Sequence, residues 1–230
     1  MIKISYKNII FDLDSTLVKI EGLDELARRK DKYEEVSRLT KLSMEGKIDF
    51  QKSMIRKMKI ISPSKKDLEW LGRLYIKSLV YGSKKLIQTL KYHGKNTFLI
   101  TGNFKPAVIP LANDIGISEK NVYCNDMFFD SLGKYKSFTS GNYLSKNGGK
   151  SKLIKSLNLK GRSCLIGDGS TDVEARDVVD IFVGFGGVVE RKNVKENADF
   201  YISKMKQLLP ILDENSTFFR YHDTYHDIRG

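Results

Sequence analysis

Four short apolar runs end abruptly in small or acidic residues, and no other feature of this chain narrows its fold as much. They are Ile9-Ile10-Phe11 before Asp12, Phe98-Leu99-Ile100 before Thr101, Leu165-Ile166 before Gly167-Asp168, and Ile181-Phe182-Val183 before Gly184. Runs that are apolar at every position need cover on both faces, which reads as buried parallel strands. Helical patterns separate them: Lys84 to His93 stops at Gly94, a suitable helix end, and Lys150 to Leu157 forms a second such segment. The expected fold is α/β, a doubly wound parallel sheet of Rossmann-like type. In such sheets ligands bind beyond the carboxyl ends of the strands, so the polar residues that end the runs converge there.

Residues 19–81 differ in character: charged, helix-prone and without strand-like runs. Leu39, Leu42, Ile48, Phe50, Met54 and Met58 are expected to supply the apolar faces of short packed helices. The organisation expected is a catalytic core of residues 1–18 and 82–230, with residues 19–81 inserted after the first strand as a helical cap over the site. Val122 to Phe138 reads as two short strands around Ser131-Leu132-Gly133, a hairpin on the sheet edge. Pro110 predicts that the helix from Pro106 to Ile115 kinks or starts late.

Composition removes several classes of function. With 230 residues, 40% hydrophobic and 30% charged, the chain can bury a core and is not of the disordered type. The apolar stretch from Ile181 to Val189 is too short to cross a bilayer, and the first residues reach acidic positions without a signal-peptide pattern, so a cytoplasmic location is expected. Cys124 and Cys164 stand alone and are expected to be structural. The formal charge of +12 is spread over helices and interleaved with acids, as in RRKDKYEEVSR, rather than gathered into a basic and aromatic stripe. That distribution predicts a solvated lysine surface, with neither nucleic acid nor membrane as partner.

The strand-end residues carry the chemistry of phosphate esters. Hydrolysis of such an ester needs a nucleophile, a proton donor for the leaving oxygen, and positive charge around the phosphoryl group. Asp12 and Asp14 follow the first strand one residue apart, so in an extended loop both carboxylates approach one ligand. Asp168 and Asp172 bracket the turn GDGSTD. A carboxylate cluster without histidine or cysteine suits a hard, oxygen-seeking ion such as Mg²⁺. Thr101 offers a hydroxyl and Lys150 a point charge for phosphoryl oxygens.

DLDST (Asp12 to Thr16), the threonine of LITGN (Thr101), the lysine of GGK (Lys150) and GDGSTD (Gly167 to Asp172) occur in the order of the four motifs of the haloacid dehalogenase superfamily. Within it the chain resembles the phosphoserine phosphatases, through EGLDELA (Glu21 to Ala27), IGDGSTDVEA (Ile166 to Ala175) and VGFGG (Val183 to Gly187). The resemblance runs from about Asn8 to Leu209 and implies a role for each matched residue. Asp12 would be the nucleophile that becomes an acyl phosphate, and Asp14 the acid and base. Mg²⁺ would be held by Asp12, the Asp14 carbonyl and Asp168, with Asp172 behind them. Thr101, Gly102 and Lys150 would clamp the phosphoryl oxygens, Glu21 would meet the substrate ammonium, and Met44, Lys57, Asn103 and Thr171 would complete the substrate pocket. It further implies a small phosphomonoester as substrate, O-phospho-L-serine foremost, and a place in serine biosynthesis. Whether the chain is a monomer or a homodimer is left open.

Two departures from the family pattern touch the substrate. An arginine on the lid is replaced by Lys57, which offers a point charge where a guanidinium would pair two-pronged with a carboxylate. The usual serine-glycine-glycine of the second motif reads Thr101-Gly102-Asn103, and the family arginine soon after it is Lys105. These leave phosphothreonine, a phosphohomoserine or a sugar phosphate as alternative substrates. A non-catalytic basic binding protein on the same scaffold is the alternative of another class. The tail from Asp213 extends past the resemblance, and its His222 and His226 are expected in a terminus without a metal site.

Overall fold

The computed structural model describes residues 4–213 of the chain, and the tail histidines lie outside the described residues. The strands are β1 (Asn8–Phe11), β2 (Asn96–Phe104), β3 (Val122–Asn125), β4 (Met127–Phe129), β5 (Tyr135–Phe138), β6 (Ser163–Gly167), β7 (Ile181–Phe185) and β8 (Phe200–Ile202). The helices are α1 (Gly22–Arg28), α2 (Tyr33–Met44), α3 (Phe50–Ile61), α4 (Lys65–Lys77), α5 (Ser83–Tyr92), α6 (Lys105–Ile115), α7 (Gly149–Ser156), α8 (Ser170–Val173), α9 (Lys192–Asn197) and α10 (Leu208–Leu212). Six strands form one sheet in the order β3-β2-β1-β6-β7-β8, and every pair in it is parallel.

Alternation along each strand builds two cores. Ile9 and Phe11 of β1, Leu99 of β2, Cys164 and Ile166 of β6 and Val183 of β7 face α5, α6 and α10. Ile10, Phe98, Ile100, Leu165 and Phe182 face the other way, against Leu153 and Ile154 of α7 and Val194 of α9. This is the three-layer arrangement that continuous apolar runs demand. Because β2 and β3 lie on one side of β1 and β6 to β8 on the other, the chain reverses direction across the sheet at β1. The crevice of a doubly wound sheet opens at that point, and Asp12 is the next residue after β1.

Helices α1 to α4 are inserted between β1 and β2, as a helical cap. Helix α3 is capped by Asp49, whose side chain accepts from the Lys52 amide, and α4 begins with a Ser64–Asp67 capping box. Met54, Met58 and Ile61 of α3 and Leu68, Leu71 and Tyr75 of α4 are buried, as the helical spacing requires. The buried face of α2 is Val36, Thr40 and Ser43, whereas Leu39 and Leu42, expected inside, border an outer groove with Ile60. Polar contacts hold the cap against the core: Ser170 Oγ donates to the Ser43 carbonyl (3.1 Å), and the Gln51 amide donates to Asn147 Oδ1 (3.2 Å).

Two local expectations are corrected. Residues 122–138 hold three strands: β3 is the parallel edge strand of the main sheet, and β4 with β5 make a separate antiparallel pair whose tip reaches the cap through Lys65 N–H to the Gly133 carbonyl (2.9 Å). Helix α6 starts at Lys105, not late, and continues through Pro110. Pro110 lies on the α4 side, where Gly72 lets the two helices come close: a Cβ there would meet the Ala107 carbonyl at 3.1 Å and Pro110 Cγ at 3.4 Å.

Candidate active site

Asp12, Thr101, Lys150, Asp168 and Asp172 come from four separate segments and line one cleft beneath the cap. Asp14, Glu21, Met44, Lys57, Gly102, Asn103 and Thr171 line it as well, so all the residues singled out in the sequence meet at one place.

Local backbone geometry sets the acidic pair. Asp12 and Asp14 are extended (φ −76°, ψ 167° and φ −64°, ψ 139°), and Ser15 after them adopts a left-handed φ of 52°. The turn brings Ser15 Oγ to Glu21, to which it donates at 2.7 Å. Asp12 and Asp14 therefore address different partners. Asp12 Oδ1 accepts from Lys150 Nζ at 2.6 Å, and the same ammonium donates to Asp172 Oδ1 at 2.6 Å. Asp14 Oδ2 accepts from Asn103 Nδ2 at 2.6 Å, while the Gly22 amide and the Tyr75 hydroxyl lie against it. A Cβ on Gly22 would fall 1.8 Å from the Tyr75 oxygen, so only glycine leaves room for that hydroxyl. Lys150 is placed by a similar device: a Cβ on Gly149 would lie 1.7 Å from the Tyr143 carbonyl oxygen.

Asp168, next after β6, accepts from Thr16 Oγ1 at 2.8 Å and from Arg191, whose Nη2 lies 3.1 Å from Oδ2. Asp172 Oδ2 accepts from the Gly169 amide at 3.0 Å. One carboxylate oxygen each from Asp12, Asp168 and Asp172 lies within 4.8 Å of the others. The donors are all oxygen, as a hard divalent cation prefers.

Charge in the cleft is lopsided. Burial first, then Glu21 and Asp12, hold the Asp14 carboxyl well above the usual carboxylate range. Asp168 is raised in the same way by burial, Glu21 and Asp12, against the lowering effect of Arg191. Asp12 is pushed up to about 7 by burial, with Lys150 opposing and Asp172 assisting. Burial alone would lower Lys150, but Asp12 and Asp172 beside it raise it above the ordinary lysine value. Lys150 and Arg191 do not balance these carboxylates, and a divalent cation fits both the donor set and the missing charge.

Lys57, on α3, is 7% exposed and makes no ion pair. Burial pulls its pKa below the ordinary value, opposed by Asp24, Glu21 and Asp14. Asp24 accepts from the Thr40 hydroxyl and is raised to about 6 by burial. Asn103, 5% exposed, stands where the family has glycine. Its amide N–H donates to Thr101 Oγ1 at 3.2 Å, and the Asn125 side chain donates to the Gly102 carbonyl at 2.8 Å.

Three residues here were not singled out in the sequence. Arg191 ties Asp168 to Glu21 (3.2 Å) from a charged loop, VVERKN, that gives no local signal. Tyr75 and Asp24 sit on the inward stripes of cap helices, where spacing marks them as core but not as partners of the site.

The parallel sheet, its switch-point carboxylates and the inserted cap define a class, the α/β hydrolases with an aspartate at the first strand end. Residues 6–176 match the model of the haloacid dehalogenase-like hydrolases, and the chain belongs to that family. It is 38% identical over 205 residues to a phosphoserine phosphatase of Drosophila melanogaster, covering 87% of this chain and 76% of that one. Its structure is similar to a phosphoserine phosphohydrolase-like protein of Francisella tularensis (TM-score 0.82, 27% identity, 90% and 99% of the two chains). It is also similar to a substrate-bound phosphoserine phosphatase complex (TM-score 0.78, 26% identity, 92% and 100% covered). The chain is an enzyme, a phosphatase of the phosphoserine phosphatase type, which sets aside the non-catalytic scaffold. Among the described residues no helix is long and apolar enough to cross a membrane.

Proposed function

We propose that the chain hydrolyses O-phospho-L-serine to L-serine and phosphate, with Asp12 as nucleophile and Mg²⁺ as cofactor. Lys57 carries the choice of substrate: a buried ammonium without an ion-pair partner faces the same cleft as Asp12 and Glu21. A buried charge left unpaired is costly, so its retention points to an anion delivered by the ligand. Phosphoserine carries three charged groups, and the cleft offers a complement to each. Thr101, Gly102 and Lys150 would receive the phosphate, Glu21 the ammonium and Lys57 the carboxylate, with Met44 and Thr171 packing around them.

Asp12 would attack phosphorus in line, forming an acyl phosphate as the bond to the seryl oxygen breaks. Lys150, 2.6 Å away, favours the ionised form of Asp12 that attack requires. Asp14, whose surroundings favour its protonated form, would give its proton to the departing oxygen and take one from the water that hydrolyses the acyl phosphate. Asp12, the Asp14 carbonyl and Asp168 would hold Mg²⁺, with Asp172 supporting, and the ion would supply positive charge to the phosphoryl oxygens. Arg191 would steady Asp168 and Glu21 while these neighbouring charges change. We take residues 19–81 as the mobile cap whose closure excludes water from the acyl phosphate.

Released phosphate tests the assignment. With Mg²⁺, kcat/KM for phosphoserine is expected to exceed that for a sugar phosphate, which lacks the ammonium and the carboxylate, by at least about tenfold. It should exceed that for phosphothreonine or phosphohomoserine, which carry the same three charges and one carbon more, by the roughly tenfold that one extra carbon costs in a fitted pocket. A higher value for any of the three would transfer the assignment to that substrate.

A further inference from the structure

Asn103 has two ends, and only one is used. Its Nδ2 donates to Asp14 Oδ2 at 2.6 Å, while its Oδ1 is buried and has no hydrogen-bond partner, in a residue that borders the cleft. In this orientation the NH₂ group supplies Asp14 Oδ2 with the donor that the carboxylate needs each time it has given up its proton, and the amide carbonyl faces away. The backbone beneath is fixed on both sides, by Asn103 N–H to Thr101 Oγ1 (3.2 Å) and by Asn125 Nδ2 to the Gly102 carbonyl (2.8 Å). The side chain therefore holds a stationary, unpartnered acceptor at the cleft wall, one amide-width from the carboxylate proposed to protonate the leaving oxygen. A buried acceptor of this kind calls for a donor from the ligand.

We propose that Asn103 Oδ1 receives the ammonium of the substrate and makes the enzyme selective for phosphate esters that carry an ammonium on the carbon next to the ester carbon. This deepens the phosphoserine reading and rests on it. In such an ester the ammonium is separated from the bridging oxygen by two carbons, so a single planar amide reaches from the acid at that oxygen to the ammonium. Glu21 lines the same cleft and supplies the charge; Asn103 supplies a directed acceptor that a family glycine cannot. The same amide also positions Asp14, so the two contributions must be separated by the substrate rather than by activity alone.

Three esters that share a two-carbon chain make the separation: phosphoethanolamine, 2-hydroxyethyl phosphate and ethyl phosphate, assayed on wild type, Asn103→Ala and Asn103→Gly with Mg²⁺. Loss of the hold on Asp14 lowers kcat for all three in both variants. The ratio of kcat/KM for phosphoethanolamine over ethyl phosphate is expected to fall a further roughly 10- to 100-fold, the worth of a hydrogen bond to a charged group. Melting curves identify any variant that fails to fold, and the glycine variant, which restores the family residue, provides the second reading. A ratio unchanged within about twofold in folded variants overturns the proposal, as does a larger loss for 2-hydroxyethyl phosphate than for phosphoethanolamine. Wild type preferring phosphoserine to its deamino analogue while both variants keep that preference sinks only the role of Asn103. Wild type without any amine preference sinks the ammonium subsite as well.

Discussion

Replacing Lys57 with methionine should make the free enzyme more stable and a worse phosphoserine phosphatase. Methionine keeps the length of the stem and removes the charge. In the free protein that charge is buried, lacks an ion-pair partner and is shifted below its ordinary pKa. Exchanging buried charge for an apolar group of similar volume is typically stabilising by about 1–4 kcal/mol. For a chain of this length each kcal/mol moves Tm by about 2–4 °C. Asp24 sets the pH at which the gain appears. Its pKa is about 6, raised by burial, with Thr40 and Lys57 opposing. A raised carboxylate contributes stability at low pH that is lost as pH rises through the folded value. Removing Lys57 raises Asp24 further, so at pH 6 the group is protonated at little cost, whereas at pH 8 its ionisation in a buried place erodes the gain. Calorimetry at the two pH values should therefore show a higher Tm at pH 6 and a smaller increase, or none, at pH 8. The same variant should lose most activity on phosphoserine and much less on phosphoethanolamine, which lacks the carboxylate. A lower Tm at pH 6 would refute the reasoning, because Lys57 would then be a strut of the cap rather than a charge held for a ligand.

Lys57→Arg should lower KM for phosphoserine and leave phosphoethanolamine little changed, since a guanidinium pairs a carboxylate through two bonds. Asp14→Asn should lose about 10²–10⁴-fold in kcat on phosphoserine, and an aryl phosphate with a good leaving group should recover much of the first step in a rapid-mixing burst. Equal loss on both esters would remove the acid role. Without Mg²⁺, Tm should fall as pH rises from 5 to 8, because the folded protein holds a proton on Asp12 up to about 7 that the unfolded chain releases near 3.8. The contribution is at most about 4 kcal/mol, and Mg²⁺ should raise Tm more at pH 8 than at pH 5, where it competes with protons. Lys150→Ala should destabilise by about 3–5 kcal/mol at pH 8 by leaving Asp12 and Asp172 buried without their cation, and by less at pH 5.

The strand-end half of the candidate site was legible because parallel strands advertise themselves. An apolar run that stops at Asp12, Thr101 or Gly167-Asp168 announces both a buried strand and the place where its polar end emerges. Short edge elements carry no such run: β8 is three residues and β3 is half exposed, so the first went unread and the second merged into the hairpin. In the cap, spacing identified helices but not their facing, since Leu39 and Leu42 compete with Val36, Thr40 and Ser43 for the inner side of α2. That inner side is chosen by Asp24, which takes the Thr40 hydroxyl, a tertiary contact no local pattern encodes. Arg191 was invisible for the same reason, because its meaning depends on two carboxylates far away in sequence. Asn103 stood out as a departure from its family, yet only geometry reveals that one end of its amide is committed and the other is not.

The nucleophile can be caught directly. Brief reaction with phosphoserine and Mg²⁺, acid quench and trypsin digestion should leave one phosphoryl group on the peptide Asn8–Lys19, which contains Asp12 and Asp14 as its only acids. The label should be removed by hydroxylamine, as an acyl phosphate is, and should be absent from a folded Asp12→Asn protein that no longer turns over. Hydroxylamine-stable label, label on another peptide, or substantial turnover by folded Asp12→Asn would contradict the account.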